Sequence, residues 1–250
     1  MSYTPFKFFG KNSCGRDFVV GDIHGCFTAF ERLLTQVNFD PECDRIFSVG
    51  DLIDRGYESH RAVEFLNYPW FHAIMGNHER MLIDACDDAS VYENWVRYNG
   101  GAWWKHVPSV ARPRIRRVME QLPLAFEVST AIGQVGVVHA DIPTGISWVK
   151  FVQSLGGDSD MKEYALWSRN RYKYFRMLGR TVPVDGIDLV VFGHTPMSTP
   201  LHTANVYYID TGAALVSDRS LGTLTLLQIH PILELHQLDA RSVVHEKIPA

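Results

Sequence analysis

RIFSVGDLIDRG, residues 45–56, is the stretch from which the fold is read. Arg45-Ile46-Phe47-Ser48-Val49 is short, apolar and β-rich, and it runs directly into Gly50-Asp51. That pattern predicts a buried strand ending in a tight turn, with an acid at its carboxyl end. The same design recurs four times. Asp17-Phe18-Val19-Val20 leads into Gly21-Asp22, and Phe71-His72-Ala73-Ile74-Met75 leads into Gly76-Asn77-His78-Glu79. Gly136-Val137-Val138 leads into His139, and Leu189-Val190-Val191-Phe192 leads into Gly193-His194. Helical patterns fill the early gaps: Phe27, Phe30, Leu33, Leu34 and Val37 recur at helical spacing, and Ser59–Leu66 and Met81–Ala85 read as helices. Strand alternating with helix predicts an α/β layered fold. In such folds functional groups gather at the carboxyl ends of strands, where each of these five delivers an Asp, Asn or His.

The rest of the chain is less regular. Glu93–Tyr98 reads as a helix broken by Asn99-Gly100-Gly101, and Trp103-Trp104 reads as packing. Arg112–Arg117 is a basic helical stretch with Pro113 near its start, read as a solvated face. Residues 185–229 read as strands joined by turns, and 230–250 as a final strand with a loose end. With no repeat or linker, one domain over 1–250 is expected, its motif-bearing core spanning about 17–229.

Composition narrows the function classes. The balance of 24 Lys and Arg against 28 Asp and Glu leaves a net charge of −4, which argues against a nucleic-acid partner. No run of about 20 apolar residues exists and the N-terminus lacks the apolar segment of a signal peptide, so no membrane association and a cytoplasmic location are expected. Cys14, Cys26, Cys43 and Cys86 form no CxxC pair, and they are expected to be reduced, buried thiols.

The strand-end stretches Gly21-Asp22-Ile23-His24-Gly25, Gly50–Gly56, Gly76–Glu79, Val138-His139-Ala140 and Gly193-His194-Thr195 supply two carboxylates, one amide oxygen and three imidazoles. That set is too rich in oxygen for a structural zinc site. Mixed oxygen and nitrogen donors suit manganese, iron or zinc with positions left open for water. Six donors exceed what one catalytic ion uses, and two ions sharing a carboxylate is the simplest economy. Such a pair clamps a phosphoryl group for in-line displacement.

In order, "GDIHG", "GDLIDRG", "GNHE", "VHAD" and "FGHTP" closely resemble the metal-dependent serine/threonine phosphoprotein phosphatases, and most of all the small phosphatases of bacteriophage lambda and bacteria. The resemblance covers about 17–229. It implies an α/β calcineurin-like metallophosphatase fold, a central β-sandwich flanked by α-helices. It implies two divalent metal ions, Mn²⁺ foremost with Fe or Zn permitted, and hydrolysis of phosphoserine or phosphothreonine monoesters on phosphoproteins or phosphopeptides by a metal-activated hydroxide. Phosphotyrosine is a further expected substrate. Asp22 and His24 match ligands of a first metal, Asp51 the bridging carboxylate, and Asn77, His139 and His194 ligands of a second. His78 matches the general acid, Asp54 its orienting partner and Arg55 a phosphate-binding arginine. In "LWSRNR", Arg169 matches a second such arginine more loosely, with Arg171 a near neighbour. Glu79 reads as a first-turn helix residue, Asp141 is undecided between support and bystander, and the strand and turn at 207–212 read as scaffold. Two rival readings are a dinucleoside tetraphosphatase or other small-molecule phosphoesterase on the same scaffold, and a non-catalytic binding module.

Overall fold

Val19 and Phe47 face one side of their strands, and Phe18, Val20 and Ile46 face the other, yet all five are fully buried. Strands covered on both faces need continuous apolar runs, which explains why residues 17–20 and 189–192 lack polar alternation. The structure, a computed structural model, describes residues 3–244. Two mixed sheets are present. One contains β1 (Phe6–Phe9), β5 (Ala125–Thr130), β6 (Gly133–Val138), β7 (Leu189–Phe192), β9 (Val206–Tyr208) and β8 (Leu201–Thr203), in that order. The other contains β11 (Glu234–Asp239), β10 (Thr223–His230), β2 (Asp17–Val20), β3 (Arg45–Ser48) and β4 (Phe71–Ala73).

The sheets stack through one apolar layer. Val19, Phe47, Val49 and Ile74 on one side meet Phe126, Val128, Val135, Val137 and Val191 on the other. The outer faces join a second core with the helices, including Phe27, Phe30 and Leu33 of α1 (Phe27–Gln36) and Trp148 and Phe151 of α6 (Trp148–Ser154). The remaining helices are α2 (Ala62–Phe65), α3 (Asn77–Ala85), α4 (Ala89–Tyr98), α5 (Arg112–Glu120), α7 (Ser159–Trp167), α8 (Asn170–Leu178) and α9 (Arg241–Val244). The chain therefore has the α/β sandwich expected of it. The expected final strand is β11, a helical turn follows it, and the rest of the tail lies outside the described residues. Among the described residues no helix is long and apolar enough to cross a membrane.

Two placements matter for function. β2, β3 and β4 run parallel in one sheet, and β6 and β7 run parallel in the other. Their carboxyl ends meet at one edge of the sandwich, where His139, after β6, has Nδ1 2.7 Å from the carbonyl of Val49, after β3. At the opposite ends of β2 and β3 the cysteine expectation fails. Cys14 and Cys43 are joined by a disulfide, Cys26 is half-buried and Cys86 exposed. The pairing follows from register: Asp17 sits opposite Arg45, so the loops just before them abut. Asn12 Nδ2 donates to the Cys43 carbonyl at 2.9 Å and holds them together.

Candidate functional site

Asp51, at the end of β3, is the centre on which two groups of donors converge. His24, Asp51 and His78 have donor atoms within 4.8 Å of one another, and so do Asp51, His139 and His194. All of these side chains are buried. Asp22 lies beside them, its carboxylate accepting the His194 backbone N–H at 3.1 and 3.2 Å, but it is outside both groups. Asn77 Oδ1 lies 2.9 Å from His139 Nε2 and 2.8 Å from His194 Nδ1. The residues singled out from sequence thus lie at one place, with His78 taking the position in the first group that the resemblance gives to Asp22.

The imidazole tautomers follow from their outer partners. His24 Nδ1 is 2.8 Å from the Ile53 carbonyl, His139 Nδ1 is 2.7 Å from that of Val49, and His194 Nε2 is 3.2 Å from that of Trp167. A carbonyl only accepts, so each of those nitrogens carries the proton and the inward nitrogen presents a lone pair. Burial reinforces this neutral form. It pushes His24 well below the usual histidine range, lowers His139, and takes His194 to about 2. His139 Nε2, His194 Nδ1, Asn77 Oδ1 and Asp51 Oδ1 then face one another as electron-pair donors without a shared proton. Such a set fits a cation and little else. Asp22 points the same way: burial, then Asp210 and Asp51, push its carboxyl well above the usual range, and burial takes Asp210 to about 6. A cation would relieve both.

The backbone is strained where the donors sit. Among the described residues seven non-glycine residues have positive φ, and five are site candidates: His24 at 45°, Asp51 at 51°, Asp54 at 74°, Arg55 at 66° and His194 at 64°. Each costs on the order of 1–3 kcal/mol and persists only where its surroundings enforce it. Glu79 is one enforcer. Fully buried, it accepts N–H groups from Gly76 at 2.8 Å, Asp51 at 2.9 Å, Leu52 at 2.8 Å and Ile53 at 3.3 Å. It belongs to the first turn of α3 as expected, but it also ties the β3 turn to the β4 turn. Sequence reading missed this. Gly76 is needed for it, because a Cβ there would lie 2.4 Å from Asp51 N. Glu79→Gln would set an amide NH₂ against backbone N–H groups. It should cost about 2 kcal/mol of stability, read by thermal unfolding, and weaken cation binding.

His78 and the two arginines flank this centre. His78 Nδ1 is 2.7 Å from Asp54 Oδ2, and its Nε2 is 3.1 Å from Arg55 Nη2. Burial opposes a charge on His78, but Asp51 and Asp54 outweigh it and raise its pKa. Arg55 is solvent-exposed and also bonds His24 Nε2. Arg169 is exposed as well, and its Nη2 donates to the His194 carbonyl at 2.9 Å. Arg171 is different: it is buried and bonded through its backbone N–H and Nε to Asp141. Asp141 thus holds Arg171. Cys26, beside the first motif, is passivated by burial, which pushes its thiol up to about 12. Two apolar grooves, of 440 and 720 Å³, leave Arg55, Gly56 and Tyr57 in different directions.

Comparison with known proteins gives a consistent result. Residues 18–198 match the family model described as calcineurin-like phosphoesterase. A serine/threonine-protein phosphatase 2 of Salmonella typhimurium is 36% identical over 78% of this chain and 87% of its own length. A symmetrical bis(5'-nucleosyl)-tetraphosphatase of Pseudomonas putida is 30% identical over 53% of this chain and 40% of its own. A protein serine/threonine phosphatase from Saccharomyces cerevisiae superposes with a TM-score of 0.66 at 13% identity, over 95% of this chain and 84% of that one.

Proposed function

The chain belongs to the calcineurin-like phosphoesterase family, and from that premise we propose that it is a phosphoprotein phosphatase acting on phosphoserine and phosphothreonine monoesters, with phosphotyrosine as a further substrate. The observation that carries the reading is the Asp51 carboxylate shared by two donor groups, with the His78–Asp54 pair and Arg55 at its side. We assign Asp22, His24 and Asp51 to one divalent cation, and Asp51, Asn77, His139 and His194 to a second. Mn²⁺ is the first choice, and the donors also suit Fe or Zn. When bound, the two ions supply Lewis acidity toward the phosphoryl oxygens and acidify water.

The remaining chemistry belongs to the side chains. Arg55 and Arg169 hold the phosphoryl oxygens by paired hydrogen bonds and fix the ester in line. In the structure His78 Nε2 accepts from Arg55. With Arg55 turned onto the phosphoryl oxygens, Nε2 is free to carry a proton and give it to the departing seryl or threonyl oxygen, whose alkoxide would otherwise be a very poor leaving group. Asp54 keeps the ring turned so that Nε2, not Nδ1, faces that oxygen. The two grooves meeting at Arg55 support a substrate that extends both ways from the phosphate, as a peptide does.

A dinucleoside tetraphosphatase is the second reading, supported by a relative over about half of the chain. After chelation and re-addition of Mn²⁺, Fe²⁺ or Zn²⁺ singly, kcat/KM is to be compared for a phosphopeptide panel and diadenosine tetraphosphate. A preference of tenfold or more for phosphopeptides is expected; the reverse would transfer the assignment to the second reading. A metal-loaded protein inert toward these substrates and p-nitrophenyl phosphate would instead leave a binding module.

A further inference from the structure

α4 and the segment that follows it reach back over the Asp54 turn. Trp95 Nε1 lies 2.5 Å from Asp54 Oδ2, and Trp103 Nε1 lies 2.7 Å from Asp54 Oδ1. With His78 Nδ1 at 2.7 Å from Oδ2, three donors hold one buried carboxylate, two of them indoles. Indole N–H can only donate, so neither can be exchanged for an acceptor by rotating a group. Trp95 is fully buried, and Trp103 is half-buried with its ring edge-on to Trp95 at 6.5 Å.

The same segment touches Arg55. Gly100, at φ 85°, accepts the Arg55 N–H at 3.3 Å, and a Cβ there would lie 2.4 Å from that nitrogen. A Cβ on Gly101 would meet the Trp95 ring at 2.4 Å. The glycine pair that looks like a plain helix break in the sequence therefore lets the backbone close onto the Asp54–Arg55 turn. Two tryptophans that served packing alone would have no reason to aim both N–H groups at one carboxylate.

We propose that Trp95 and Trp103 are positioning residues for proton delivery. By fixing both oxygens of Asp54, they set the ring angle of His78 and so the line along which its Nε2 proton reaches the leaving oxygen. This rests on the assignment of His78 as proton donor. Two carboxylate oxygens pinned at opposite ends cannot pivot, whereas a carboxylate held only by His78 would turn with it. Errors of 10–20° in such a group are enough to cost rate.

The test uses Trp→Phe changes, which keep the ring and remove the N–H. Trp103→Phe is the main variant because Trp103 is only half-buried, and Trp95→Phe is the second. Substrates are phenyl phosphate, whose leaving group has a conjugate-acid pKa of about 10, like tyrosine, and so needs a proton, and p-nitrophenyl phosphate, which departs as a stabilised anion. For Trp103→Phe, kcat on phenyl phosphate should fall about tenfold, kcat on p-nitrophenyl phosphate by no more than about threefold, and KM should hold. The His78→Asn/Trp103→Phe double variant should show no further change in the substrate ratio beyond His78→Asn. In the metal-free protein, the downfield Nδ1–H proton resonance, identified by its loss in His78→Asn, should shift or broaden in both Trp→Phe variants.

Equal losses on both substrates with an unmoved resonance would reduce the tryptophans to packing and overturn the proposal. If His78→Asn itself shows no leaving-group dependence, the proton-donor assignment fails instead. If Trp103→Phe does not fold, Trp95→Phe carries the same comparison. Should neither fold, titrating the wild-type Trp103 and Trp95 indole ¹⁵N–H signals decides the matter: signals at ordinary indole positions, without the downfield displacement of a carboxylate partner, overturn it.

Discussion

Asp51→Asn should leave a folded protein that binds fewer than two divalent ions per chain and turns over phosphopeptide about 10³-fold more slowly. The reason lies in the geometry of one carboxylate. Its two oxygens face different imidazoles: Oδ2 is 3.4 Å from His24 Nε2, and Oδ1 is 3.4 Å from His139 Nε2. Burial works against its charge, while His78, the ring of the four around it whose pKa is raised, favours the ionised carboxylate. An amide retains the acceptor that takes the His78 backbone N–H at 3.0 Å, so the turn survives. It cannot present negative charge to both sides at once. Metal analysis after gel filtration, with circular dichroism as the folding control, gives the answer. A variant that keeps two ions at wild-type affinity would contradict the bridging role.

His78→Asn separates proton donation from cation binding. Turnover of a phosphoserine peptide should fall by about 10²–10³-fold, the range expected of a lost general acid. p-Nitrophenyl phosphate should suffer much less, and metal content should stay near that of the wild type. The structure makes this the more exacting of the two tests, because His78 falls within one of the donor groups. If it holds a cation, the variant loses metal and both substrates suffer alike. If it donates a proton, only the poor leaving group is slowed.

Much of the architecture is legible in the sequence, for a physical reason. Parallel strands buried on both faces must be largely apolar, so the runs 18–20, 46–47 and 189–192 announce themselves, and the polar residue after each glycine marks the functional edge. The helices over 148–178 are less visible. α7 buries only Met161, Ala165 and Leu166, and the single buried side chain of α8 is an arginine, so neither shows a broad apolar stripe. Long-range polar contacts are not visible at all. Nothing local links Trp95 or Trp103 to Asp54, 41 and 49 positions away, or Glu79 to the amides of residues 51–53. The Cys14–Cys43 bridge spans 29 positions and depends on the register of two neighbouring strands.

The left-handed backbone at His24, Asp51, Asp54, Arg55 and His194 also shapes how this protein would evolve. Glycine adopts that conformation without steric penalty, so at five addresses the chain forgoes the most comfortable residue. A lineage selected for heat resistance alone would drift toward glycine at these positions and become hardier while falling catalytically silent. The strain at these five positions is a stability cost tied to the side chains that the site needs there.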